Sequence, residues 1–185
     1  MPRNEEIVLE IFEALENRDR DALFALWHDD LTLHEAASLP YAEQAVGKHA
    51  LWTQLDEAPE RTWIGTWGPL QPTAADRRMD ARVVAARGDK VVVEYTNRAV
   101  SPDGERCESN VLAIYVIRDG KLLSARMHHY DTVALTAFLE RVTAARRPRT
   151  QEAGSARSRR SSRSGSSSAS MDAIAPSPTV NAMTA

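Results

Sequence analysis

The sequence predicts an α+β domain: a strongly curved antiparallel sheet packed by three to four helices, cone-shaped around an apolar pocket, with a disordered C-terminal tail. Three observations predict it. Apolar residues recur at helical spacing near the N-terminus, the period changes from 3.6 to 2 after about residue 60, and the composition changes again after Arg146. The expected division is a domain over residues 1–145 and a tail over 146–185.

The first helix is read from Ile7, Val8, Ile11, Phe12 and Leu15, an apolar stripe, with Asn4 as N-cap and Glu5 and Glu6 at the positive helix end. Asn17–Arg18–Asp19 breaks it, and Asp19 or Asp21 starts a short second helix through Leu23, Leu26 and Trp27. Asp29–Asp30 reads as a turn, and Leu31–His34 alternates like a strand. A loop over 36–47 holds Pro40 and Gly47, and a third helix runs from about Lys48 to Asp56. Strands are then expected over Thr62–Leu70, Arg78–Ala86, Lys90–Val100, Glu105–Arg118 and Lys121–Tyr130. Gly-Asp and Asp-Gly steps at 88–89, 103–104 and 119–120 supply the tight turns. Thr132–Val142 closes the domain as a helix.

Residues 1–145 hold 24 acids against 16 bases, a net of −8, while 146–185 hold 7 arginines against 2 acids, a net of +5. An acidic body repels phosphate backbones, so nucleic acid is not expected as its main ligand. The run Arg157–Ser164 offers at most weak, salt-sensitive contact. The Ser- and Arg-rich stretch 155–170 has no aromatic or branched apolar residue and cannot offset the entropy of ordering. No apolar run approaches the ~20 residues of a membrane span. The start Met1–Pro2–Arg3–Asn4 lacks a secretory apolar stretch, so a cytoplasmic protein is expected. Cys107 is the only cysteine, which excludes a disulfide framework and a Cys₂ zinc site. Twenty arginines to three lysines point to a GC-rich bacterial genome.

Several local motifs, in order, resemble the SnoaL-like branch of polyketide cyclases and ketosteroid-isomerase relatives within the nuclear transport factor 2-like superfamily. They are Phe12–Leu15 followed by Ala22–Asp30, then Leu33–His34–Glu35, Leu39–Pro40–Tyr41, Gly47–Lys48, Arg118–Leu122 and Tyr130–Asp131–Thr132. The resemblance covers residues 4–142. It implies a deep pocket and, often, a homodimer. It does not imply one reaction, because the fold hosts isomerases, cyclases, hydrolases, dehydratases and binders without catalysis.

Strand alternation puts Leu123, Ala125, Met127, His129 and Asp131 on one side of the last strand and Arg126, His128 and Tyr130 on the other. The resemblance implies that Ala125, Met127 and His129 line the pocket. His129 and Asp131, roughly 7 Å apart along the strand, then form a candidate proton-handling pair. Asp131 also stands just before a helix, where Asp is a favoured N-cap. By the same resemblance Glu35 occupies the place of the isomerases' catalytic carboxylate. Either Glu35 or His34 turns inward, or both end a solvated strand.

The isomerases' hydrogen-bond donors to the enolate have no equivalent: the matching positions are Phe12 and either Leu112 or Ala113. The Arg between two aspartates of the limonene epoxide hydrolase relatives is also absent from residues 90–100. Tyr95, Asn97 and Asn110 are candidates for orienting a substrate carbonyl, and Phe12, Trp27 and Met127 for lining the pocket. Trp63 and Trp67 share a strand face, as core or as aromatic pocket wall. His34, His129 and Asp131 are the one combination with metal-ligand chemistry. With no His-x-His pair, no metal and no cofactor are expected.

Two functions of different class follow. One is a cofactor-free acid–base enzyme, of isomerase or cyclase type, acting on a cyclic or polyketide-like carbonyl compound. The other is a small-ligand-binding or dimerisation module that does no chemistry. A third makes the basic tail the working part.

Overall fold

The computed structural model describes residues 3–146. The expected tail beyond Arg146 lies outside the described residues. One curved sheet of five strands carries the domain, in the order β1-β5-β4-β3-β2. Its strands are β1 (Trp27–His34), β2 (Arg82–Arg87), β3 (Lys90–Val100), β4 (Arg106–Arg118) and β5 (Lys121–His129). The helices are α1 (Asn4–Asn17), α2 (Arg20–Leu26), α3 (Lys48–Glu57), α4 (Trp63–Trp67), α5 (Ala74–Arg77) and α6 (Thr132–Arg146). The α+β class holds, with one change to the sheet: β1 runs parallel to β5, while the other three pairings are antiparallel.

The stripe on α1 buries as read: Ile7, Val8, Ile11 and Phe12 are each at most 3% exposed. Such burial is worth about 1.5–3 kcal/mol per side chain relative to exposure. Asn4 is inside the helix rather than its cap. Arg3 takes the cap position, its N–H donating to Glu6 Oε2 at 2.9 Å, and Asn4 Nδ2 instead donates to Gly88 O at 3.0 Å. Arg18, in the left-handed region at φ 57°, ends the helix, and Asp19 caps α2 by accepting from Ala22 N at 2.9 Å.

Asp29 and Asp30 do not turn the chain. They sit inside β1 where its register against β5 shifts, between Trp27 and Thr32. The shift is a bulge, which absorbs two exposed acids without breaking the strand. Lys48 Nζ pairs with Asp29 at 2.8 Å and Gly47 N donates to Leu31 O at 2.8 Å, so the start of α3 is tied to β1. Gly47 has φ 90°, and an added Cβ would lie 3.1 Å from Asp29 O.

The stretch 62–70, expected as a strand, is helical. Thr62 Oγ1 accepts from Gly65 N at 3.1 Å and caps α4, and Thr73 caps α5 in the same way. Pro59 and Pro69 stand at the starts of two 3₁₀ turns, Pro59–Arg61 and Gly68–Leu70. Two tryptophans four apart share a face in a helix as well as in a strand, so spacing alone did not separate the two. The caps and prolines decide. β2 is correspondingly shorter than expected, since 78–81 form a connection in which Met79 O accepts from Thr96 N at 2.9 Å. α4 and α5 take the helix count beyond the expected three to four; the other four helices each span seven residues or more.

Two apolar clusters fill the interior. The first joins α1 and β1 to the inward residues of β3, β4 and β5. The second gathers Leu39, Tyr41, Trp67, Leu70 and Ala99 around Leu135, Phe138, Leu139 and Val142 of α6. Gly65 is fixed by packing: a Cβ there would come 2.2 Å from Pro59 O, a backbone atom that cannot swing aside. Gly65→Ala is therefore expected to cost about 1–3 kcal/mol in urea unfolding. An unchanged midpoint would show that the Pro59 turn and α4 are not packed as described.

Candidate functional site

Inward positions on the sheet are apolar except along one row. On β3 they include Val91, Val93, Tyr95, Asn97 and Ala99, and on β4 Ser109, Val111, Ala113, Tyr115 and Ile117. Asn97 faces Ser109 across one ladder, and Val111 faces His129 across the next. On β5 the parity holds at Ala125, Met127 and His129 but breaks at Leu123, because a register shift opposite Val116 and Ile117 turns Leu122 inward instead.

His129 is the centre of the row. Its Nδ1 lies 2.9 Å from Ser109 Oγ, and its Nε2 lies 3.1 Å from Glu35 Oε2. The side chains of His129 and Glu35 are 0% and 1% exposed. β1 ends at His34, so Glu35 follows it on the same side as Leu33 and Leu31 while His34 points out and is exposed. Burial pushes the Glu35 carboxyl above its ordinary value of 4.5, and the His129 hydrogen bond opposes that only in part. The pair tolerates either proton position. With Glu35 protonated, its O–H donates to Nε2 and Nδ1–H donates to Ser109. With Glu35 ionised, Nε2–H donates to the carboxylate and the rotatable Ser109 hydroxyl donates to Nδ1.

Glu35 lines a cavity. Trp27, Trp52, Trp63, Leu33, Ile64 and Met127 form apolar walls, and Gln44, Tyr95 and Tyr115 add polar groups. Burial, then the neighbouring Tyr115 phenol and the Glu35 carboxyl, pushes the Tyr95 phenol upward; burial and Glu35 raise Tyr115, against its hydrogen bond with Tyr95, so both stay protonated at neutral pH. Tyr41 is held protonated for the same reasons, and its hydroxyl accepts from Trp67 Nε1 at 3.0 Å.

The expected site residues divide. Glu35, Trp27, Tyr95 and Met127 line the cavity, and His129 backs Glu35. Phe12 lies one layer deeper, its ring centroid 4.9 Å from that of Tyr95 and 5.7 Å from that of Tyr115. Asn97 is buried beside Ser109, its Oδ1 and Nδ2 without a partner among the described residues. Asn110 faces outward and its Oδ1 accepts from Thr96 Oγ1 at 2.8 Å. Asp131 is exposed and caps α6, accepting from Ala134 N at 2.8 Å. It therefore does not pair with His129, and His34, His129 and Asp131 are not brought together. Ser109, Tyr115 and Gln44 were not singled out from the sequence. Ser109 and Tyr115 share the parity of Val111 and Ala113, which was a usable signal; Gln44 lies in an irregular loop and had none.

A family model described as the SnoaL-like domain matches residues 8–125. Among solved structures, TerC co-crystallized with polyporic acid is 21% identical at a TM-score of 0.58, over 74% of this chain and 98% of that one. A protein of cystatin-like fold from Xanthomonas campestris is 17% identical at a TM-score of 0.60, over 75% and 98%. IdmH, a proposed polyketide cyclase from Streptomyces antibioticus, is 16% identical at a TM-score of 0.53, over 74% and 99%. At these identities the likeness concerns the fold alone. No curated protein sequence matches the chain.

Two measurements check the geometry. Asp131→Ala is expected to cost about 1 kcal/mol of stability, the value of a helix cap, with ligand binding in the cavity unchanged. Lost binding at unchanged stability would put Asp131 in the site instead. For Glu35 the folded-state pKa lies above the unfolded one, so the folded state holds the extra proton between the two. Wild-type stability then falls as pH rises from about 4.5 through the raised value. Urea unfolding of Glu35→Gln should gain on the wild type across that window and hold its gain above it. A difference independent of pH would show that Glu35 titrates normally.

Proposed function

The chain belongs to the SnoaL-like domain family, and from that premise we propose that it is a cofactor-free acid–base enzyme acting on a cyclic or polyketide-like carbonyl compound. The observation that carries the proposal is a single carboxyl, buried, raised in pKa, hydrogen-bonded to an imidazole and open to an apolar cavity. A carboxylate in that setting is a stronger base than one in water. The fold shared with TerC, which was crystallized with polyporic acid, and with IdmH supports a small-molecule ligand.

In the proposed step, ionised Glu35 takes a proton from the carbon next to the carbonyl. The C–H electron pair becomes the enolate double bond, and the carbonyl π pair moves to oxygen. One phenol of the Tyr95–Tyr115 pair donates a hydrogen bond to that oxygen, the other O–H being engaged between the two rings. Protonated Glu35 then returns the proton to carbon. His129 is a positioning residue: it fixes the carboxyl and steadies its charge, with Ser109 holding the ring. The proposal includes a homodimer in the cytoplasm, and among the described residues no helix is long and apolar enough to cross a membrane.

A binding module without turnover is the second reading. It is favoured by the sparse chemistry of the wall, where Glu35 is the one carboxylate. The two separate in one experiment. 2-Tetralone in D₂O, followed by proton NMR, should exchange its α-hydrogens faster with wild-type protein than in buffer. Glu35→Gln should lose about a hundredfold or more of that enhancement. Equal rates for the two proteins would sink the enzyme reading and leave the binding module.

A further inference from the structure

Gln44 carries an unexplained hydrogen-bond donor. It lines the same cavity as Glu35, yet its Nε2 is out of contact with solvent and has no partner among the described residues. Buried amide groups are nearly always paired, so an orphan beside a cavity needs a reason.

The surroundings fix both the position and the orientation of this amide. Gln44 sits in the loop between β1 and α3. Gln54 of α3 grips the peptide groups on either side of it: Gln54 Oε1 accepts from Ala45 N at 2.7 Å, and Gln54 Nε2 donates to Glu43 O at 3.2 Å. One side chain therefore clamps residues 43–45 against the helix. Beyond that clamp, Gln44 Oε1 accepts from Trp63 N at 3.5 Å, the N–H at the start of α4. Exchanging the amide's oxygen and nitrogen would set two donors face to face, so the oxygen belongs toward Trp63 and the NH₂ on the other side.

We propose that Gln44 Nε2 is the donor that recognises an oxygen of the bound ligand, and that the cavity therefore selects flat apolar compounds bearing a carbonyl over the same skeletons without it. This rests on the reading of the cavity as the ligand site and deepens it, but it does not depend on Glu35 acting as a base. With one phenol of the Tyr95–Tyr115 pair, Gln44 then supplies neutral donors from positions other than Phe12 and Leu112 or Ala113. A buried donor left unpaired rejects an oxygen-free analogue more strongly than a mere loss of contact would.

The test is a pair of probes of equal skeleton, 2-tetralone and tetralin, titrated against the emission of Trp27, Trp52 and Trp63, which line the cavity. Gln44→Met keeps length and volume but removes the donor. It should weaken 2-tetralone about tenfold and bind tetralin at least as tightly as wild type, tetralin serving also as the check that the variant folds. The carbonyl stretch of bound 2-tetralone should move to lower frequency in wild-type protein and return toward its free value in Gln44→Met. Equal losses for both probes, or an unmoved stretch, would overturn the donor role. If neither probe binds wild-type protein, the cavity is not a site for such ligands and the inference falls with it. Glu35→Gln separates the two readings. Lost α-exchange with the ketone preference intact supports both, and no exchange in wild-type protein with the Gln44 effect present refutes only the base.

Discussion

The contact between Glu35 and His129 ties together parts of the chain that are 94 residues apart. Glu35 is the first residue past β1 and His129 the last of β5, and the parallel pairing of these two strands brings their ends to the same edge of the interior. Had β1 run antiparallel, the end of one would meet the start of the other and the carboxyl would face nothing that titrates. A buried pair of this kind adds little net stability, because the cost of stripping water from a carboxylate nearly cancels the attraction. Its neighbours therefore have to do the stabilising. The apolar clusters on either side of the polar row, one under α1 and one under α6, supply that.

Polar and apolar groups are sorted with that pair as the dividing line. Ser109 and Asn97 continue the row across β4 and β3, away from the cavity, and the tyrosines lie on the cavity side. The ring of Phe12 packs edge-on beneath both tyrosines, so a residue that cannot donate a hydrogen bond still sets the inclination of two that can. Asp131 keeps a similarly indirect place. By capping α6 it holds the helix whose Phe138 and Leu139 close the second cluster, while taking no part in the row itself.

Most of the sheet was legible in the sequence because period-two alternation and Asp-Gly turns survive any packing detail. β3 and β4 match their expected spans within a residue. The stretch 59–77 was not legible from periodicity, since Trp63 and Trp67 satisfy both a helix and a strand, and the decisive information lay in Thr62, Thr73 and two prolines. At the site, Glu35 and His129 could be found from parity and from the resemblance. Their direct contact could not, because it depends on β1 pairing with β5, a long-range choice that leaves no local mark. Asp131 carried two readings at once, and its place before a helix outweighed its place two residues after His129. The bulge at Leu123 shows how narrow the margin is. One extra residue nearer the strand's end would have turned His129 outward.

The burial of the row has a bearing on where hydrogen comes from and goes to. Behind Glu35 stand His129, Ser109 and Asn97, all enclosed, so the carboxyl has no second route to water on that side. Its proton enters and leaves through the cavity alone. A ligand seated there narrows that passage, so a hydrogen lifted from one carbon either returns to the same molecule or leaves past the ligand to water.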